Sequence, residues 1–240
     1  GAITETTFVG GSIGVELHTL AAATSPTGTM LRHSPISIEA LLKTMFGKGL
    51  AYILDRDIIA GTGANEPLGI LNSPANITVD AISGQGASTI IWENVRDMKV
   101  RMPWSSRINS VWVVVPEAMS QLEGMFIAAG LSGIPIYSPA GGVSGKQYDT
   151  LYARPIIESE SCQTLGTKGD IILFDPTMYL AAYFTGGEQW DLSPHVYFLY
   201  DRTTFRMLFE RGGTCWWSAP RTPEHGGTKS PIVTLSSTRT

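Results

Sequence analysis

The stretch DIIAGTGANEPLGIL at residues 57–71 decides the fold of this chain, because it ends the longest helical pattern in the sequence. Upstream of it, apolar residues mostly recur at helical spacing. Ser34 can cap the start of a helix and Pro35 suits a first turn. We therefore predict a single helix over 35–60, about 39 Å long at 1.5 Å per residue.

The glycines of this stretch raise the alternative of a phosphate-binding loop. A P-loop has the pattern GxxxxGK[ST], but Leu68 stands where the second glycine would follow Gly63, and no lysine comes next. A dinucleotide-binding loop follows a strand and precedes a helix, whereas here the helix comes first. We therefore interpret Gly61, Gly63 and Asn65 as the end of the helix and a hinge or domain joint, with positive φ angles.

The composition, with 43% hydrophobic and 16% charged residues, is typical of a globular protein. A formal charge of -4 gives no basic surface for gripping DNA by charge alone. Cys162 and Cys215 cannot form a disulfide framework, and the histidines lack metal-site spacing. No apolar run approaches the roughly 20 residues of a membrane helix, so we expect no membrane partner. We also expect no metal and no cofactor.

Beyond the first helix, helical and extended patterns alternate, which predicts an α+β fold. The segment 15–23 fits a strand or a helix equally well. The predicted further helices cover 92–101 and 117–129. The predicted strands cover 4–9, 108–115, 151–158, part of 166–176, 178–184, 196–200, 205–211 and 232–235.

A serine nucleophile is the alternative of another functional class. The pentamer GGSIG at 10–14 matches the GxSxG pattern of serine hydrolases, and Asp191 and His195 follow it in the usual order. Only nine residues precede the motif, too few for the strands and the oxyanion loop that such a nucleophile needs. The residues after it alternate as in a strand, so Ser12 is a weak candidate and we predict no catalytic residue.

Arginines and aromatic residues concentrate in the segment 190–217, a combination typical of protein–protein interfaces. No lysine lies among these aromatic residues, which argues against a surface for stacking nucleic-acid bases. We predict a subunit interface there, with four candidate contact residues: Asp201, Arg202, Arg206 and Arg211.

Taken together, the sequence resembles the major capsid proteins of tailed bacteriophages, the Hong Kong 97 family. The resemblance covers roughly residues 17–240 and depends on the order and spacing of several motifs. These are the stretch 57–71 after a long helix, RPIIESESCQTLGTKGDIILFD at 154–175, the Tyr179–Leu180 pair, Ser193–Pro194–His195, and YDRTTFR at 200–206.

The resemblance implies a Hong Kong 97-type capsid fold of the α+β class, with a long spine helix, an elongated P-domain sheet and a compact A-domain. The implied parts are the returning strand of a truncated E-loop (1–22), the P-domain with the spine helix (23–60), the A-domain (61–193), P-domain strands (194–217) and an A-domain tail (218–240). The family also has an N-terminal arm and an outgoing E-loop strand. We expect that such an upstream segment has been removed or is missing.

The implied function is that of a shell subunit of a phage or prophage, not an enzyme. Copies would form the pentamers and hexamers of an icosahedral head that encloses double-stranded DNA without sequence-specific binding. The implied partners are a portal, a scaffold or N-terminal scaffolding segment, and a maturation protease, with assembly in the bacterial cytoplasm and residence in the virion. An encapsulin-like compartment shell, which shares the fold, and a defective prophage remnant are alternatives.

Some members of the family join their subunits through a Lys–Asn isopeptide bond. The E-loop lysine is not in this chain, and the matching P-domain place, around 205–207, holds no Asn. We therefore predict no covalent cross-link between subunits.

Overall fold

A computed structural model describes residues 12–34, 36–129, 132–135, 150–237 and 239. Its helices are α1 (Gly28–His33), α2 (Ile38–Ala60), α3 (Trp92–Arg101), α4 (Trp104–Arg107) and α5 (Pro116–Glu123). Its strands are β1 (His18–Thr24), β2 (Ile77–Val79), β3 (Val111–Val114), β4 (Phe126–Ala129), β5 (Ser132–Pro135), β6 (Thr150–Leu151), β7 (Arg154–Glu158), β8 (Ile171–Phe174), β9 (Tyr179–Tyr183), β10 (Gln189–Tyr197), β11 (Arg202–Cys215) and β12 (Ile232–Leu235). The predicted strand at 4–9 lies outside the described residues.

The long helix α2 has 23 residues, which corresponds to about 35 Å. It begins later than predicted, because the hydroxyl of Ser37, and not that of Ser34, accepts the capping hydrogen bond from the Ala40 N–H. Ser34 instead ends α1, where its N–H donates to the Met30 carbonyl. The Phe46 ring of α2 packs on Trp190 of β10, with 5.6 Å between ring centroids, so the helix lies against the sheet that contains β10.

A four-stranded antiparallel sheet is centred on β11. Residues 202–208 of β11 pair with β10, residues 205–211 with β1, and residues 211–215 with β9. The strand β10 runs across the predicted domain boundary between 193 and 194 and pairs with β11 on both sides of that point. The ambiguous segment near 15–23 is the strand β1.

A six-stranded mixed sheet, in the order β2-β12-β8-β3-β7-β6, holds most of the core. The strands β8 and β12 are buried along their whole length, as expected for the middle of a covered sheet. Trp112 of β3 is buried as well, and its indole N–H donates to the Leu151 carbonyl at 3.0 Å. This hydrogen bond ties the centre of the sheet to its β6 edge.

Three further predicted elements differ in the structure. The predicted strand at 196–200 is the end of β10 followed by a single 3-10 turn over Phe198–Tyr200. The predicted helix at 117–129 ends at Glu123 because Gly124 caps it, and β4 and β5 then form an antiparallel pair. The predicted strand at 151–158 is a hairpin of β6 and β7, whose turn places Tyr152 and Ala153 in left-handed conformations with φ of 52° and 59°.

Candidate functional site

The end of α2 is fastened by the chain that follows it. The backbone carbonyls of residues 58–61 accept hydrogen bonds from the N–H groups of residues 69–71 and from the Asn72 amide, at 2.9–3.0 Å. The last carbonyls of a helix have no partner within the helix, so these bonds satisfy groups that would otherwise need water. The stretch 57–71 therefore folds back on the helix end as a compact joint.

The three predicted joint residues have different backbone geometries. Gly63 and Asn65 have φ of 80° and 59°, as the sequence predicted. The same prediction for Gly61 is wrong, since its φ is −53°. Glycine is required at Gly61 because a Cβ there would collide with the carbonyl oxygens of Pro67 and Asp57. No local sequence pattern indicates such a close approach between two backbone segments.

A buried ion pair joins the helix end to the sheet. Asp57 is 0% exposed, and its carboxylate accepts hydrogen bonds from the guanidinium of Arg211 on β11 and from Arg56, the latter at 3.0 Å. Arg211 is 3% exposed, and its guanidinium is already paired with Asp57 of the same chain. Arg211, one of the four predicted interface residues, is for this reason no candidate for contact with another subunit.

The turn at 62–66 is closed by Glu66. Its carboxylate accepts hydrogen bonds from the N–H and the hydroxyl of Thr62, both at 2.8 Å. These hydrogen bonds, together with the nearby Arg56 guanidinium, lower the pKa of Glu66. Next to the turn, the Leu68 N–H donates to the Gly213 carbonyl at 2.9 Å, so the joint is also bonded to β11.

The connection between β10 and β11 exposes a run of apolar side chains, residues 196–200, which we call the hairpin tip. Leu199 is 91% exposed, and Phe198 and Tyr200 are nearly as open to solvent. Exposed apolar patches of this kind mark interaction sites. Asp201 closes the turn in a left-handed conformation, and its carboxylate binds Arg32 of α1 at 2.7 Å. The tip is thus held in place by α1.

The other predicted interface residues lie at the surface. Asp201 and Arg202 are exposed beside the hairpin tip. Arg206 is exposed on β11, where it binds Asp191 of β10 at 2.6 Å. The sequence therefore identified three surface residues of one hairpin, but nothing in it distinguished them from the buried Arg211.

The hydrolase alternative finds no support in these contacts. Ser12 is exposed ahead of β1, while Asp191 and His195 lie on β10. The Asp191 carboxylate is engaged by Arg206, and no hydrogen bond among the described residues connects Ser12, Asp191 and His195. None of the helices in the described ranges combines the length and the apolar character that crossing a lipid bilayer requires.

Comparison with known proteins gives a consistent result. A family model described as the phage capsid family matches residues 1–215. The capsid of a native GTA particle aligns with a TM-score of 0.71 and 19% identity, over 93% of this chain and 73% of the other. No curated protein sequence matches.

Two further solved structures resemble the chain. A Microbacterium phage Oxtober96 structure has a TM-score of 0.65 and 12% identity over 92% of this chain and 73% of the other. The holo-SrpI encapsulin complex from Synechococcus elongatus PCC 7942 has a TM-score of 0.58 and 10% identity over 92% and 74%. At these identities the likeness concerns the fold, and it confirms the predicted Hong Kong 97-type fold.

Proposed function

Because this chain belongs to the phage capsid family, it is a major capsid subunit and a component of a virion, and we propose that its copies close into the pentamers and hexamers of an icosahedral head. The family match over residues 1–215 is the observation that carries this proposal. We further propose that the head belongs to a tailed phage or prophage and encloses double-stranded DNA.

The two sheets correspond, in our proposal, to the two domains that the sequence resemblance implies. The four-stranded sheet with α2 would be the P-domain, including β9 and the whole of β10. The six-stranded sheet would be the A-domain. This division moves the second boundary from 193/194 to a point before β9, because β9 pairs with β11.

The stretch 57–71 would be the joint between these domains, and its contacts favour a fixed joint over a hinge. A hinge needs backbone that can change its φ and ψ angles at low cost. Gly61 is packed against carbonyl oxygens, and the neighbouring carbonyls and N–H groups are engaged in hydrogen bonds. The buried pair of Asp57 and Arg211 also fixes the end of α2, where the joint begins, to β11 of the same domain.

The contact surface that we propose consists of the hairpin tip with Asp201, Arg202 and Arg206. The apolar side chains of Leu41, Met45 and Tyr52 on α2, which are also exposed, form a second part of it. Individual contacts of this size are modest, but their repetition over many copies makes a closed shell stable. Neighbouring copies would bury these side chains from water.

The partners of such a subunit follow from the proposed function. Besides itself, we propose a portal, a scaffold or N-terminal scaffolding segment, and a maturation protease, met during assembly in the bacterial host cytoplasm. The formal charge of -4 is consistent with a wall that encloses DNA without sequence-specific binding. With no Asn in the segment 205–207, we also propose that the subunits are not joined by isopeptide bonds.

Electron microscopy of the purified full-length product tests the proposal. We expect closed particles with fivefold and sixfold rings, and nuclease-protected DNA inside particles recovered from the host. Protein cargo in place of DNA would instead favour the encapsulin-like compartment. A product that stays monomeric at all concentrations and has an esterase activity abolished by Ser12→Ala would contradict the proposal.

A further inference from the structure

One face of the six-stranded sheet carries three cations around an open cavity. The cavity, of about 280 Å³, lies beside Trp112 on the sheet, and Lys99, Arg107 and Arg154 line it. Trp104 of α4, which is 75% exposed, also lines it. We call this surface the cationic face. It combines apolar side chains open to water with charge of a single sign.

The three cations have no acidic partner within the described part of the chain. The Lys99 ammonium lies 4.1 Å from the centroid of the Tyr152 ring, and Arg107 and Arg154 donate to backbone carbonyl oxygens. The salt bridges of the described residues involve other lysines and arginines. Half-buried cations that form no salt bridge with the described residues are available to an anionic group from outside.

The turn that positions Tyr152 has a backbone conformation that is energetically unfavourable for residues other than glycine. Tyr152 and Ala153 are consecutive non-glycine residues in left-handed conformations. Such conformations cost on the order of 1 kcal/mol each and concentrate at binding and catalytic sites. Here the turn brings an aromatic ring beneath the Lys99 ammonium and so helps to hold that charge at the cavity.

The opposite face of the same sheet has the complementary character. Neighbouring residues of a strand point to opposite faces, so Val111 and Val113 lie on the other side of β3 from Trp112. They line a cavity of about 250 Å³ together with Asp55 and the half-exposed Ile157, which is level with Val113 on β7. Asp55 is exposed, and in the described structure it forms no salt bridge. We call this surface the acidic face.

We propose that the cationic face of one copy binds the acidic face of a second copy of this chain, head to tail. Lys99, Arg107 and Arg154 would meet Asp55, around an apolar centre that includes Trp104 and Ile157. A contact between two different patches repeats in one rotational sense and closes into a ring when the rotation divides a full turn. This inference depends on the proposed shell function and names the contact that forms its rings.

Cysteine cross-linking tests the direction of the contact. Ile108, which lines the cationic cavity, and Ile157 are both well exposed and suit replacement by cysteine. The native Cys162 and Cys215 are buried, and burial raises the pKa of Cys162 to about 12, so neither competes for a maleimide reagent. We expect Ile108→Cys and Ile157→Cys, mixed as single variants, to give covalent dimers with a bismaleimide. The double variant should give a ladder that ends at ring size.

Charge reversal tests the chemistry of the contact in the same double-cysteine background. Lys99→Glu should lower the cross-linking yield roughly tenfold, because like charges then face each other. Adding Asp55→Lys should restore the yield, which a folding defect caused by Lys99→Glu would not allow. Lys168→Glu is the matched control, since Lys168 is an exposed lysine away from both cavities and should leave the yield unchanged.

The outcomes separate this inference from the proposed function. If either single variant cross-links to itself, the contact joins identical patches and the inference is wrong. Closed particles in the microscope without a cross-linked ladder would also overturn it, while the shell function would stand. The absence of both particles and cross-links would overturn the two together.

Discussion

Asp57 shows how one residue can connect two distant parts of a chain. Its carboxylate is fully buried and is satisfied by two arginines, one from the same helix and one from β11. A buried carboxylate keeps its charge only with such partners, and removing one leaves the charge uncompensated. The cost of losing Arg211 should therefore exceed that of losing a surface arginine on the same strand.

We expect Arg211→Ala to lower the free energy of unfolding by about 3–5 kcal/mol, measured by urea unfolding of the purified subunit. Arg206→Ala is the control, because its pair with Asp191 is half-exposed on both sides. It should cost less than about 1 kcal/mol. Equal losses from the two substitutions would mean that the buried pair does not stabilise the joint.

A pair of glycines makes a second comparison at this scale. Gly61→Ala should lower the stability of the subunit by more than about 1 kcal/mol, because its Cβ would collide with two carbonyl oxygens. Gly47 lies within α2 with open space around its Cα, so Gly47→Ala should raise stability by about 1 kcal/mol. Thermal unfolding of both variants measures the two effects. Shifts of the same sign would contradict this account of Gly61.

At the level of elements, the hairpin of β10 and β11 carries the exposed apolar tip. Leu199 is 91% exposed, so replacing it by a charged residue should leave the fold of the subunit intact. Apolar side chains this exposed are expected to be buried in contacts between copies. Folding and assembly should therefore respond differently to a substitution here.

We expect Leu199→Asp to leave the melting temperature of the subunit unchanged and to reduce the yield of particles in sedimentation. Ile82→Asp is a suitable control, because Ile82 is an exposed apolar residue that belongs neither to the hairpin tip nor to the lining of the two sheet-face cavities. It should assemble normally. A normal particle yield from Leu199→Asp would remove the hairpin tip from the contact surface.

The elements also show how far sequence patterns predict this fold. The bounds of α3 and β12 agree with the prediction, since the signals for both are local: helical spacing stopped by Pro103, and a short β-branched run. The sequence predicts β4 as the end of a helix, because apolar residues continue beyond Gly124. The start of α2 was predicted three residues early because two serines compete as caps and only the folded chain shows which one is used.

The candidate site was harder to predict than the elements. The turn at Gly63 and Asn65 was recognised because the residue types themselves favour positive φ. Gly61 packs closely against the carbonyl oxygens of Pro67 and Asp57, and Asp57 pairs with Arg211, which lies 154 residues further along the chain. No local sequence pattern contains this information. The cationic and acidic faces were missed for the same reason, since each gathers residues from several elements.

At the scale of the whole molecule, β11 runs without interruption from the hairpin tip to the joint, and it pairs with three other strands on the way. At its far end, the Gly213 carbonyl accepts a hydrogen bond from the Leu68 N–H, and Arg211 pairs with the Asp57 carboxylate. The helix α2, the strand β11 and the joint are therefore rigidly connected. A subunit with these connections should keep a fixed angle between its two proposed domains. In the proposed shell, the different curvature of five- and six-membered rings must then be taken up where copies touch. Variants selected for altered particle diameter should accordingly carry their substitutions at the hairpin tip and the two sheet faces, and rarely within 57–71.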